Sequence, residues 1–494
     1  LPVDRAIVSG STAAANADRT RHSLAPSDES YHHWMKTRAL EEEDGVLMAD
    51  TMAFTWTVKP RIQLVVRCRA EQSPSLADTL DSLNFQFYSN YRIDIFASFD
   101  APEALRSAMP ALGWHVVDDI DRAADAISTT VTENACDWIV ELPPGALLDP
   151  QYLFRIVHQI NLDRGDTAPC AYFTDDDRLD SKQIRRQPRF KPEFDPEWLL
   201  ASDLLGPLVV SADAWSACGG ASANATRPWY DLALRLVDTL GNGALRHIAE
   251  PVLSLPESLS GDGHAAICAA AVRRHLTRRQ LNGKVSVSSA DTWSVRYRNT
   301  SRPAVTIAIP SADKPEYLEQ CIEAILGATT YGDYEILIVA TDSGDADVPA
   351  VIERLLQHRE ATVRHVTAAA PLNTANFANT AAAAATGDYL LLLADDVRVT
   401  RADWLDVLVS HALRPQVGVV GTLLVSALDG TIAHAGYVPG LGGDVVSPHQ
   451  GKARPDDGGY LNCLAVNRSV AAVSASCMLV SVADYRAADG MDEE

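Results

Sequence analysis

The sequence predicts an α/β chain made of two tandem domains, each a mostly parallel, Rossmann-like sheet. Three observations carry that prediction. First, apolar runs long enough for one buried strand alternate with amphipathic helical stretches, the order expected of a parallel sheet. Second, the alternation occurs twice, in related sequence. Lys59 to Val66 (KPRIQLVV) is echoed by Arg302 to Ile309 (RPAVTIAI). Tyr88, Tyr91 and the run Ile93 to Ala97 are echoed by Tyr331, Tyr334 and the run Ile336 to Ala340. Asp137 to Val140 (DWIV) is echoed by Asp388 to Leu391 (DYLL). A period of roughly 245 residues is far too long for a solenoid and marks two copies of one domain. Third, the apolar run of the second copy, Tyr389 to Leu393, stops at two adjacent carboxylates, Asp395 and Asp396.

Along the chain, residues 1–55 lack sustained periodicity. They read as a leader, flexible or partly helical, with one helix near Tyr31 to Glu43. Pro60 opens the strand Ile62 to Cys68. An amphipathic helix follows around Leu76 to Phe85, then the strand Tyr91 to Phe96. The first domain spans 56–260. A helical linker, 261–300, contains an Ala- and Arg-rich helix from about Ala265 to Gln280, and the second domain occupies 301–494.

Bulk properties narrow the function. A chain of 494 residues with 47% hydrophobic and 22% charged content has room for two or three well-filled cores. A net charge of −23 argues against a nucleic-acid partner, which needs a basic footprint. The 8 cysteines are scattered without a C-x-x-C pair and read as reduced core thiols of a cytosolic protein. No apolar run approaches the roughly 20 residues of a membrane span. The first residue is Leu1, so the sequence reads as a piece of a longer polypeptide.

In an open α/β sheet, ligands bind at the carboxyl ends of the strands. Two acids there repel each other unless a cation lies between them, and a divalent ion bridging to a diphosphate meets that need. In the first copy the same strand end reads Pro143, Pro144, Gly145, with both acids gone.

These pieces, in this order, make the second copy resemble a family 2 inverting glycosyltransferase of the GT-A fold. The matching segments are Ile309 to Asp313, Thr330 to Ile336, Asn373 to Asn379, Ala385 to Tyr389, Asp395 to Val397 and Trp404 to Leu405. Further matches are Val417 to Gly421, His434 to Gly436 and Gly490 to Glu493. The first copy is similar to the upstream domain of tandem enzymes that build bacterial O-antigen-like polysaccharides. It does so through Tyr172 to Asp177, Arg189 to Pro192, Gly219 to Gly220, Tyr230 to Arg235 and His247 to Ile248.

The resemblance implies transfer of a sugar from a nucleoside-diphosphate sugar to a glycan or lipid-linked acceptor. It also implies a divalent cation, Mg or Mn, and cytoplasmic work with peripheral association at the inner membrane. Asp396 matches the metal-binding acid and Asp395 the middle position of that motif, while Ala394 replaces the acid or amide usual at the first. Asp313 matches an acid near the nucleotide. Asp342 stands in for a base contact that Ala340 lacks, although an acid before glycine also serves a plain turn. Asn373 and Asn379 match family asparagines, with capping of the following helix as the alternative. His434 reads as structural. The catalytic base and a metal-ligating His are expected beyond Glu494, so the second domain reads as C-terminally incomplete.

In the first copy Trp229 stands where the base belongs, Leu255 near the metal His, and Ala97 to Phe99 in place of the base-binding loop. These losses imply a domain that no longer transfers sugar and serves as a scaffold, or as an acceptor-binding or dimerising platform. Asp175 to Asp177 read as a solvated acidic loop. The competing function is a non-catalytic pseudo-glycosyltransferase that binds glycan or organises an assembly.

Overall fold

Two units divide the chain: residues 25–281 with 285–294, and residues 295–494 with 1–24 and 282–284. The computed structural model describes residues 5–8, 26–103, 105, 112–165, 167–223, 227–257, 263–298, 301–311, 314–341, 347–357, 362–441, 444–452 and 454–493.

The first unit is built on one sheet. Its strands are β1 (Ile62–Cys68), β2 (Tyr91–Ala97), β3 (Gly113–Val116), β4 (Trp138–Leu142), β5 (Leu147–Leu148), β6 (Ala171–Leu179), β7 (Arg185–Arg189), β8 (Val209–Ser211) and β9 (Leu245–Pro256). They lie in the order β3-β2-β1-β4-β8-β6-β9-β5, with β7 beside β6. β3, β2, β1 and β4 run parallel, and β8 joins β4 antiparallel. Every residue of β1 is buried, as a strand covered on both faces requires. Gln63 survives there because its amide donates to Asp94 at 2.9 Å.

Residues 28–55 join this unit. Helix Asp28–Lys36 is capped by Ser27, whose hydroxyl accepts from the Ser30 N–H. Its Tyr31 is buried and donates to Asp177 at 2.5 Å, while Trp34 lies edge-on to Phe190.

The second unit repeats the plan. β10 (Val305–Ser311), β11 (Tyr334–Ala340), β12 (Thr362–Thr367), β13 (Tyr389–Leu393), β14 (Val397–Val399), β15 (Val419–Gly421), β16 (Leu423–Ser426), β17 (Ile432–His434) and β18 (Cys477–Ser481) are its main strands. The sheet order is β12-β11-β10-β13-β18-β15. Again four strands run parallel and the fifth, β18, joins antiparallel. The two units therefore share strand order as well as sequence echoes. Helices Pro315–Ala328 and Trp404–Ala412 bury Leu318, Ile322, Ile325, Leu405 and Leu408 in one core. Helix Thr374–Ala384 buries Phe377, Ala378 and Ala381 in another. Gly387 makes the close turn into β13: a Cβ there would lie 2.7 Å from the Ala304 carbonyl oxygen.

Among the described residues, no helix is long and apolar enough to cross a membrane.

Candidate functional site

Register fixes where the second unit can work. Ser311 pairs with Ala340, and Ala308 with Leu392, so β10, β11 and β13 end on one side of the sheet. The carboxylates Asp395 and Asp396 follow β13 immediately. Asp313 and Asp342, expected near the ends of β10 and β11, lie outside the described residues.

Both carboxylates are half-buried. Burial, together with the neighbouring Asp396 charge, pushes Asp395 up to about 6. Burial also raises Asp396, against an opposing pull from Arg398 and Lys314. Arg398 lies beside the pair: Nη1 donates to the Asp395 carbonyl at 3.2 Å, and Nη2 donates to Gln320 Oε1 at 2.7 Å. Two adjacent hard oxygen donors at one strand end fit a divalent cation. Arg398, Lys314 and Gln320 were not singled out from the sequence. The signal was weak: Arg398 is merely two positions past Asp396, on β14.

The two asparagines are placed by the same helix. Asn373 is its N-cap, and its side chain accepts from the Asn376 N–H at 2.8 Å. Asn379 binds the segment after the last helix. Its Oδ1 accepts from Tyr485 at 2.7 Å and from the Met491 N–H at 2.9 Å. Its Nδ2 donates to the Met491 carbonyl at 2.8 Å and to Glu493 at 2.7 Å. Those four bonds use the whole capacity of an amide side chain. The structure therefore gives Asn373 a partner in its own helix and Asn379 partners in the Tyr485 to Glu493 segment.

In the first unit the corresponding strand end is Pro143, Pro144, Gly145, with Gly145 at φ +87° and its N–H bonded to Thr79. A buried ion pair stands close by. Arg67 Nε lies 2.6 Å from Glu141 Oε1, and Arg67 Nη2 donates to the Ser222 carbonyl at 2.8 Å. In the aligned second copy these two positions are Pro310 and Leu392.

Asp175 to Asp177 are not a solvated loop. They lie within β6 and are buried. Asp175 accepts from His247 at 2.8 Å and from the Lys191 N–H at 2.7 Å. Asp176 meets Lys191 at 2.5 Å and Arg189 at 3.4 Å. Asp177 meets Arg185 at 2.5 Å. Burial opposes ionisation of Asp176, but Arg189, Lys191 and Arg178 outweigh it and lower its pKa. The acidic run reads as solvated because its partners arrive by strand pairing: Arg185 and Arg189 on β7 and Lys191 just after it.

Asp203, His264 and Cys268 also bring three potential ligand atoms within 4.8 Å of one another. Arg227 already serves that cluster, with Nε donating to His264 Nδ1 at 3.1 Å and Nη1 3.5 Å from Asp203. The guanidinium supplies the positive charge, so the cluster fits a cation poorly.

Residues 306–448 match the family described as glycosyl transferase family 2. The chain is similar to the O-antigen biosynthesis protein RfbC of Myxococcus xanthus, 29% identical over 86% of this chain and 34% of that one. It is also similar to the uncharacterised protein y4gI of Sinorhizobium fredii, 28% identical over 88% of this chain and 49% of that one. The chain thus spans about a third to a half of these relatives. Among solved structures, a mannosyltransferase of Pyrobaculum calidifontis aligns at 14% identity over 48% of this chain and 70% of its own, with a TM-score of 0.31. A likeness that low carries no weight here.

Proposed function

We propose that this chain, whose second unit carries a family 2 glycosyltransferase segment, moves a sugar from a nucleoside-diphosphate sugar to a glycan or lipid-linked acceptor, with inversion and from the second unit. The similarity to an O-antigen biosynthesis protein supports a place in cell-surface polysaccharide synthesis. One observation carries the choice of unit. Asp395 and Asp396 stand at the carboxyl end of β13, whereas the equivalent end of β4 is Pro143, Pro144, Gly145.

Asp396, with Asp395, would hold the divalent cation, Mg or Mn. Bound there, the cation would neutralise charge on the departing diphosphate. The protein's own groups do the rest. The carboxylates are held at the strand end by the Ala394 N–H, which donates to the Ser476 carbonyl at 3.0 Å. Arg398 fixes the turn through the Asp395 carbonyl. Asp313 and Asp342 are proposed donor contacts from the neighbouring strand ends. Asn373 and Asn379 are further proposed donor-site residues; the first starts its helix and the second holds Met491 and Glu493. Work at the cytoplasmic face of the membrane, on a lipid-linked acceptor, belongs to the same proposal.

The first unit is proposed as a scaffold that transfers nothing. The buried Arg67–Glu141 pair, where the second copy has Pro310 and Leu392, favours that reading.

The test is release of nucleoside diphosphate from a panel of nucleotide sugars in the presence of Mn²⁺. Asp396→Ala should abolish release, and the double substitution Arg67→Leu with Glu141→Leu should leave it unchanged. Equal loss from the first-unit variant would overturn the placement. Glycan binding with no release from any donor would favour the pseudo-enzyme alternative.

A further inference from the structure

His434 reads as structural in the sequence, and the structure ties it to the strand that carries the acid pair. His434 is buried at the end of β17, 4% exposed. Two backbone donors converge on its Nε2: the Gly436 N–H at 3.2 Å and the Ser474 N–H at 3.0 Å. A backbone N–H only donates, so Nε2 must carry a lone pair and the ring proton must sit on Nδ1. Nδ1 is buried and has no hydrogen-bond partner among the described residues. Burial, with Arg468 nearby, lowers the pKa of the ring, which favours the same neutral form.

The contact is part of a longer seam. Tyr437 N–H donates to the Ala472 carbonyl at 2.9 Å. Gly436 takes φ +91°, and a Cβ there would lie 2.5 Å from Val470. A Cβ on Gly421 would lie 2.6 Å from Val473. The segment held by this seam, Val470 to Ser476, leads directly into β18, the antiparallel partner of β13. Within it, Ser474 Oγ accepts from the Ser476 N–H at 3.2 Å, and the Ser476 carbonyl receives the Ala394 N–H at 3.0 Å. Ala394 immediately precedes Asp395.

We infer that His434 is a positioning residue of the acid-pair site, acting as the hydrogen-bond acceptor that pins Ser474 and, through Ser476, the strand end carrying Asp395 and Asp396. The inference rests on the reading of that pair as the cation site. The role needs an acceptor at the ε position, and a bulky aromatic ring alone does not supply it.

Amide hydrogen exchange over residues 470–477 and 389–396, with Mn²⁺ titration read by electron paramagnetic resonance, tests this on the full chain. Gln places an acceptor near the ε position and Asn near the δ position. His434→Gln should keep wild-type exchange and Mn²⁺ affinity. His434→Asn should exchange roughly tenfold faster in both segments and bind Mn²⁺ roughly tenfold more weakly, the loss expected when two backbone bonds open. Equal exchange in the Gln and Asn variants would overturn the inference. Should the wild type bind no Mn²⁺, the cation reading falls, and exchange alone still decides whether His434 pins the strand end.

Discussion

Replacing Glu141 by Gln leaves shape nearly unchanged and strands the Arg67 guanidinium. The two side chains are 3% and 7% exposed, so no water can take over from the lost carboxylate. Arg67 then keeps the Ser222 carbonyl, at 2.8 Å, and at best a neutral amide oxygen, with no counter-charge from residue 141. Breaking a buried pair in this way costs about 3–5 kcal/mol. The pair itself is a poor stabiliser. Burial raises the pKa of Glu141 despite the pull of Arg67. A carboxyl raised in the fold contributes most below its unfolded value and loses that contribution as pH rises through the folded one. Removing both charges is therefore mild: Arg67→Leu with Glu141→Leu should lie within about 1 kcal/mol of wild type or above it. The second copy already has Leu392 and Pro310 at the two positions. Urea unfolding followed by tryptophan fluorescence reads this unit selectively, because of the 9 tryptophans only Trp404 lies in the second unit. A single-mutant cost below about 1 kcal/mol, or a double mutant as unstable as the single, would refute the argument.

Two further outcomes follow from the second unit. A cation must displace the proton that Asp395 holds up to about 6, so Mn²⁺ affinity should weaken as pH falls through that value, by up to about tenfold per pH unit. An affinity that is flat between about pH 5 and 7 would contradict it. Glu335 behaves oppositely. Burial would raise it, but hydrogen bonds from Arg364, Thr306 and Thr386 hold it down to about 2. A depressed carboxylate contributes fully above its unfolded pKa and loses that contribution as pH falls toward the folded one. Glu335→Gln should therefore cost about 2–3 kcal/mol at neutral pH and very little near pH 2, as urea midpoints would register.

Much of the fold was legible because its signals are local. Ile62–Cys68 and Val305–Ser311 are mostly apolar, Tyr389–Leu393 is a continuous apolar run, and the repeat shows that such strands recur in the same order. The acid pair was legible for the same reason: it ends such a run. What was hidden depends on chain segments distant in sequence. Asp175 to Asp177 look solvated until β7 brings Arg185 and Arg189, and the loop after it Lys191, against them. Asn379 shows no structural partner in the sequence, yet Tyr485, Met491 and Glu493, more than a hundred residues on, bond its amide. His434 looks idle until Ser474, forty residues on, donates to its ring. Residues 28–36 look like a leader until Tyr31 meets Asp177. None of these partners has a fixed spacing that sequence periodicity can reveal.

The most direct test of the central claim is calorimetric titration of UDP and dTDP into the chain, with and without Mn²⁺, beside the Asp396→Ala variant. A working donor site in the second unit predicts binding that needs the metal and disappears in the variant. Binding that survives Asp396→Ala, or that ignores the metal, would contradict it.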